Sequence, residues 1–471
     1  MIRNRYRILL IVFATYFLLP SCEDFVELEP PNYKMVAQTV FEDDETAIAA
    51  VTGIYNELFS SASFANGNIS SVTVLGGLSS DIFTTTSATD LRYGPFQQNQ
   101  ISPSETQDAS ANYELWSSAY NIVYMANAIL EGSGDSVDIS EETRTLVEGQ
   151  ALFIRAFTYF YLVNLYGDVP LILTTDYRQN AIAPRTDASK VLERIKADLD
   201  LAIALLDPVR DYTDMERTQV NLFVALALRA RVSLYEEDWE QAGEFSSLVI
   251  AQTALYEILG DLDQVFLKNS REAIWQISPV PVGSRQTTYT SEGYFFRGIN
   301  SSPVVLSDVF IEGYDLGDKR LSHWVGLNDE RDFFFPQKYK DGSSRGNITE
   351  YSMVLRLAEQ YLIRAEARAM QGNLSGAIAD LDKIRERAGL TPLAETDPEM
   401  GQQALLDMIM EERKRELFSE WGHRWLDLKR TRKAGQVLSP IKPQWQGTDI
   451  LYPIPGEERA KNPNIGQNGG Y

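Results

Sequence analysis

In the stretch LALRARVSLYEEDWEQAGEF the pair Arg229-Ala230 is followed by Ala242, and in YLIRAEARAMQGNLSGAIADL the pair Arg364-Ala365 is followed by Ala377, in both cases twelve alanine-to-alanine steps on. Small residues at this interval, on either side of a turn at Asp238-Trp239 or Gly372-Asn373, let one helix approach the next closely. A chain that repeats this arrangement is built from packed helical hairpins. The surrounding pattern agrees. Val191, Leu192, Ile195, Leu199, Ile203 and Leu206 recur every three to four residues, with Asp187 or Ser189 as N-cap and Asp207-Pro208 as the stop. Similar patterns cover roughly 44–59, 110–131, 142–166, 219–235, 239–252, 355–371, 374–388 and 402–420.

The packing logic is that of tetratricopeptide repeats, but the copies are unequal. Arg155-Ala156 in ALFIRAFTYFYLVNLYGDVPL has the same start, while its Gly167-Asp168 turn falls four residues later than Gly372-Asn373 does. The expected fold is mostly α: four irregular tetratricopeptide-like pairs in one body over 46–471, with a loop-rich half that contains short strands. Residues from about 260 to 350 break the helical rhythm. There AIWQISPV and DFFFPQKY alternate with Gly, Ser, Pro and Asn, and 84–109 is irregular too. Long loops in a helical protein are where function concentrates. The C-terminal repeat and tail then occupy 351–471.

At the other end, Arg3, Arg5 and Arg7 precede an apolar run from Ile8 to Leu19, broken by Thr15 and Tyr16. This is the layout of a secretory signal over 1–21. The run is about 12 residues, short of the ~20 that a helix needs to cross the hydrocarbon core. LPSCEDF follows, with the only cysteine of the chain. Leu19, Ser21 and Cys22 resemble a bacterial lipobox, which makes Cys22 the lipidated N-terminus of the mature protein. Residues 22–45 are then a tether and entry segment. Glu23-Asp24 resembles the surface-export signal of Bacteroidetes-type lipoproteins.

Charge and residue inventory narrow the chemistry. The formal net charge of −23 becomes −26 once the three leader arginines are removed. Nucleic acid is excluded as a partner, because phosphate binding needs clustered Lys and Arg. With two histidines and no thiol left free after lipidation, Cys/His zinc sites and thiol catalysis are excluded, and no metal or cofactor is expected. GSSRG around Ser344 matches a nucleophile elbow formally, but it lies in the polar run KYKDGSSRGNITE, which reads as a turn. In EWGHRWLDLKR, Arg424 and Asp427 at i,i+3 are expected to pair and Trp421 and Trp425 at i,i+4 to pack, with Gly422 permitting close approach. That reading makes the motif structural.

Several motifs, in order along the chain, resemble the SusD/RagB family of nutrient-binding outer-membrane lipoproteins. They are the lipobox, FIRAFTYFYLVNLYGDVPL, YLIRAEARAMQGNLSGAIADLDKIRERAGL, EERKRELFSEWGHRWLDLKRTR and the tail LYPIPGEERAKNPNIGQNGGY. The resemblance implies a protein lipid-anchored in the outer membrane and facing the cell exterior. Such a protein binds a glycan without cleaving it and passes it to a TonB-dependent barrel transporter of the SusC type. It also implies a ligand site built from two loop regions. From 280 to 345, 11 of 66 positions are aromatic, and sugars offer flat C–H faces that stack on such rings. The candidates are Trp324, then Tyr294 and Phe296 on one face if their segment is extended, and from the earlier loop Asp81, Arg92, Tyr93, Phe96 and Asn99. Two other readings stay open: a scaffold for a protein ligand, and a carboxylate-based glycosidase.

Overall fold

The computed structural model describes residues 40–103, 107–281, 287–297, 302–343 and 346–471, so Cys22 and Ser344 lie outside the described residues. The helices that carry the architecture are α1 (Asp44–Ser60), α2 (Val72–Ser79), α3 (Gln107–Asp135), α4 (Glu141–Tyr166), α5 (Ala188–Leu206), α6 (Leu222–Tyr235), α7 (Trp239–Ile250), α8 (Ser291–Arg297), α9 (Leu357–Met370), α10 (Leu374–Arg387), α11 (Gln402–Glu416) and α12 (His423–Arg430). Their starts follow local chemistry. Side chains of Asp43, Ser140, Asn221, Asp238 and Asn373 each accept a hydrogen bond from the backbone N–H three residues on, satisfying a donor that the first turn leaves orphaned.

Neighbouring helices pack in a continuous series: α3 on α4, α4 on α5, α5 on α6, α6 on α7, α7 on α9 and α9 on α10. The excursion between α7 and α9 therefore leaves the stack unbroken. Ala230, Ala242, Ala365 and Ala377 are fully buried, as their spacing predicts. The arginine before each first alanine clamps the adjacent helix. Arg155 meets Asp198 through two contacts of 2.8 Å, Arg229 meets Asp200 at 2.7 Å, and Arg364 meets Asp380 at 2.7 and 2.9 Å. Forked guanidinium–carboxylate pairs fix orientation as well as contact. The displaced turn of the Arg155 copy has a simple cause, since its partner α5 begins only at Ala188, after the long connection that leaves α4.

Among the described residues the strands form three two-stranded antiparallel sheets. β1 (Phe83–Thr85) pairs with β3 (Val304–Leu306) in the register Phe83↔Leu306, β2 (Ala273–Ile277) with β6 (Ser352–Arg356), and β4 (Val325–Asn328) with β5 (Phe333–Pro336). β2 and β6 are wholly buried. Trp275 of β2 stands edge-on to Phe153 and Phe157 of α4, each at 5.2 Å, and so joins the sheet to the helical stack.

Between the loop-rich segment and the C-terminal helices lies a buried ionic cluster. Arg356 meets Glu272 at 2.9 Å, Glu416 at 2.5 Å and Glu420 at 2.7 Å, while Arg320 meets Asp318 at 2.7 Å and Glu412 at 2.6 Å. Arg387 pairs with Glu272 and Glu416, and Lys338 with Glu420. Buried charges are tolerated when each is paired and hydrogen-bonded. The surrounding cations hold the Glu416 carboxyl well below the usual range against the opposing effect of burial. Among the described residues no helix is long and apolar enough to cross a membrane, and no group of three or more His, Cys, Asp or Glu is arranged to hold a metal ion.

Candidate ligand-binding site

Pairing of β1 with β3 brings together the two irregular regions singled out in the sequence. The short helix Gly94–Gln98 is tied to β1 by Gln97, whose Oε1 accepts from Thr85 N and Oγ1 at 3.1 and 2.8 Å and whose Nε2 donates to Thr84 Oγ1 at 2.8 Å. Across the junction the ring of Tyr93 stands edge-on to Phe295 at 6.3 Å, and Phe83 meets Phe296 at 5.3 Å. Tyr289 and Tyr294 stack nearly parallel, 15° apart at 5.5 Å. Tyr289, Tyr294 and Phe295 are half-buried, as are Phe333, Phe334 and Phe335 on β5, which packs against both β3 and α8. An aromatic surface drawn from the later region results, with Tyr93 and Phe83 of the earlier one packed against its rings from the buried side.

The individual candidates divide sharply. Tyr294 keeps an accessible edge, and Arg92 is 24% exposed, held by Glu114 at 2.6 Å and Ser70 at 2.7 Å. The rest form a buried layer beneath. Phe96 is fully buried edge-on to Tyr452, and Tyr93 and Phe296 are 3% and 4% exposed. Asn99 ends its short helix in the left-handed conformation at φ 55°, and its Oδ1 accepts from Lys442 Nζ at 2.6 Å. Asp81 is buried against Arg424 and Lys414, which hold its carboxyl well below the usual range despite burial. A carboxylate so committed has no free lone pairs facing solvent.

Trp324 is corrected most clearly. Its side chain is 0% exposed, its Nε1 donates to Leu262 O at 3.0 Å, and Lys338 Nζ lies 4.8 Å from the ring centroid. The ring roofs the ionic cluster, a setting that the polar flanks DKRLSHWVGLNDERD conceal, because their charges also point inward at Asp318 and Arg320. Tyr294 and Phe296 do not share a face either. Their segment is the helix α8, where residues two apart point about 200° from each other, so Tyr294 faces outward and Phe296 into the core. Tyr289 and Phe295 were not among the candidates. The overlooked signal was Thr290, whose Oγ1 accepts from Gly293 N at 3.0 Å and starts the helix.

The motif EWGHRWLDLKR is structural, with partners other than those expected. Asp427 pairs with Arg413 at 2.8 Å and Arg430 at 2.7 Å, and Arg424 reaches Asp81 instead. Trp421 packs on Phe157 and Tyr161, and Trp425 on Tyr452 and Trp445. The reason is Gly422, which at φ 66° breaks the backbone before α12, so the two tryptophans never share a helix face. A Cβ on Gly76 would come within 3.1 Å of Gly422 Cα, which confirms the close approach. His423 is buried, and burial with the nearby Arg231 and Arg413 pushes its pKa well down.

Stacked helical pairs carrying a loop-built aromatic face define a binding protein of the tetratricopeptide-like class. Comparison with known proteins agrees and narrows it. The profile described as the SusD family matches residues 325–471, and one described as starch-binding, associating with the outer membrane, matches residues 24–234. The SusD-like protein P25 of Formosa agariphila is 24% identical, over 96% of this chain and 97% of its own. A SusD superfamily protein from Bacteroides vulgatus superposes with a TM-score of 0.77 at 19% identity, over 92% of this chain and 100% of its own. A laminarin binding SusD-like protein superposes with a TM-score of 0.74 at 24% identity, over 91% and 99%. The chain belongs to the SusD family.

Proposed function

We propose that this protein binds an oligo- or polysaccharide on the outer membrane, without cleaving it, and delivers it to a SusC-like TonB-dependent transporter. The observation that carries the reading is the aromatic face formed by Tyr289, Tyr294 and Phe295 where the two loop regions meet, with Arg92 beside it. Half-buried rings are held rigidly by the layer beneath, so stacking a sugar on them costs little ordering entropy. The descriptions of the family and of the laminarin binding relative support a glycan as the ligand. Of the carboxylates near the face, Asp81 and Glu420 are paired with Arg424 and Arg356, and Glu292 is buried with Ser352 as its partner, so none of the three is presented to a bound glycan, which supports binding over hydrolysis. The lipobox at Cys22 supports anchoring, with the body on the exterior side.

Affinity electrophoresis against a polysaccharide panel tests the reading. Retention by at least one polymer, without release of reducing ends, is expected; free migration in every gel would overturn it. Copurification with a barrel transporter from gently solubilised membranes tests delivery, and consistent recovery of the protein alone would remove that part.

A further inference from the structure

Trp116, Tyr120 and Tyr124 stand on successive turns of α3 and therefore on one face of it. That face is not the one used by Glu114 to hold Arg92, because Glu114 and Trp116 are two residues apart and point about 200° from each other. The three rings line a concave pocket of about 320 Å³, closed by the segment around Ile172 and by Glu458 and Lys461 of the C-terminal tail. This volume lies in the range of pockets that bind small molecules.

The rings grade from core to solvent. Trp116 is 1% exposed and packs at 4.9 Å on Tyr120, whose hydroxyl donates to Pro170 O at 2.8 Å, whereas Tyr124 is 52% exposed. An exposed tyrosine on a helix is ordinary, but one that continues a fixed aromatic wall into a pocket offers a preformed stacking face. At the rim the Lys461 ammonium lies 2.9 Å from Glu458 Oε1 and 2.8 Å from the Tyr113 hydroxyl. Carboxylate and ammonium side by side supply acceptor and donors, with nearly no net charge. That combination suits a neutral polyhydroxylated ring and gives an ion no preference.

We propose that this pocket is a second sugar site, separate from the loop face, which takes one neutral hexopyranose unit. The ring stacks on Tyr120 and Tyr124 while its hydroxyls meet Glu458 and Lys461. The choice of ligand class rests on the glycan-binding reading above, but the location does not.

Saturation-transfer NMR on the mature chain, with D-glucose, D-galactose and D-mannose as separate probes, tests it. At least one sugar should give a signal that competes with its unlabelled methyl glycoside. Tyr124→Ala should weaken the apparent affinity at least about fivefold, as should Glu458→Gln, with the thermal midpoint unchanged. Tyr294→Ala should leave this signal intact while reducing polysaccharide retention. Silence from all three sugars, or a signal lost in Tyr294→Ala and kept in Tyr124→Ala, overturns the proposal. So does a Tyr124→Ala variant that binds sugar normally but no longer copurifies with a transporter, which would make the pocket a protein-docking surface. Polysaccharide retention by the wild type is scored separately, so failure of the pocket and failure of the glycan reading are told apart.

Discussion

Asp81 and Arg424, 343 positions apart in the chain, meet in a forked ion pair with Nε–Oδ1 at 2.8 Å and Nη2–Oδ2 at 2.9 Å. Asp81 stands directly before β1, and Arg424 lies on α12 inside the C-terminal motif. The pair thus fastens the loop region that packs against the aromatic face from its buried side to the C-terminal helix α12. Lys414 adds a second cation at 3.1 Å.

Removing this carboxylate leaves two buried cations unpaired. Asp81→Ala is expected to lose about 3–5 kcal/mol of stability, the range for breaking a buried pair. Urea unfolding followed by circular dichroism measures it. A loss of glycan affinity in a variant as stable as wild type would instead restore Asp81 as a ligand residue. The depressed pKa gives the sign with acid: the contribution is complete above the ordinary carboxylate range near 3.8 and fades as pH falls below it.

Truncating Trp324 tests the corrected assignment of that residue. Trp324→Ala opens a cavity beneath Lys338 and removes the Nε1 hydrogen bond to Leu262 O, so a loss of about 3–5 kcal/mol is expected. Trp324→Phe retains part of the packing and should lose less. Glycan affinity, measured by calorimetry below the melting transition, should be unchanged in the phenylalanine variant. Selective loss of affinity there would return the ring to the ligand site.

Much of the helical scaffold was legible in the sequence because its signals are local. The alanine spacing around Arg229 and Arg364, the apolar period from Val191 to Leu206 and the Asp and Asn caps each report on neighbours within one or two turns. The resemblance implies that the two loop regions come together, and β1 and β3 do meet. Which rings face solvent was not legible. Trp324 is polar-flanked in sequence, and Asp81 is itself charged, yet both are buried by partners 60 or more positions away, at Leu262 and Arg424. Charge near a residue implies exposure only when that charge itself faces water, and here Arg320, Arg356 and Arg387 do not. Tyr294 and Phe296 were placed together because a seven-residue helix is too short for periodicity to separate it from a strand.

Cys22 is testable without reference to the fold. If Leu19, Ser21 and Cys22 form a lipobox, Cys22→Ala abolishes metabolic labelling with a fatty acid and moves the protein from the membrane fraction to the soluble one. Unchanged sedimentation of that variant with membranes would defeat the anchor.

Glu292 supplies the last prediction, because it stands in α8 beside the rings of the aromatic face. Its side chain is buried against Gly67, Oε1 accepts from Ser352 Oγ at 2.5 Å, and Oε2 has no hydrogen-bond partner. Burial pushes its pKa from 4.5 to about 7, against the Ser352 hydrogen bond and with help from the neighbouring carboxylates of Glu420 and Glu350; Tyr339 packs close by. A raised carboxyl pKa means that the folded state keeps a proton which the unfolded chain releases near 4.5. The associated stability is therefore complete below pH 4.5, is lost as pH rises toward 7, and totals about 3 kcal/mol. His423 acts oppositely in part of that window: its depressed pKa adds stability as pH rises toward 6.5. Lys429 and Lys442, pushed down to about 7 by burial, add theirs above 7. The absolute slope thus mixes several groups, and the difference between wild type and Glu292→Gln isolates this one. Glutamine cannot ionise, so the variant should gain on wild type by about 3 kcal/mol between pH 4.5 and 7, and by little more up to pH 8. Denaturant unfolding at pH 4.5, 6, 7 and 8 gives the difference curve, and a flat curve would show that Glu292 is already ionised in the fold at low pH.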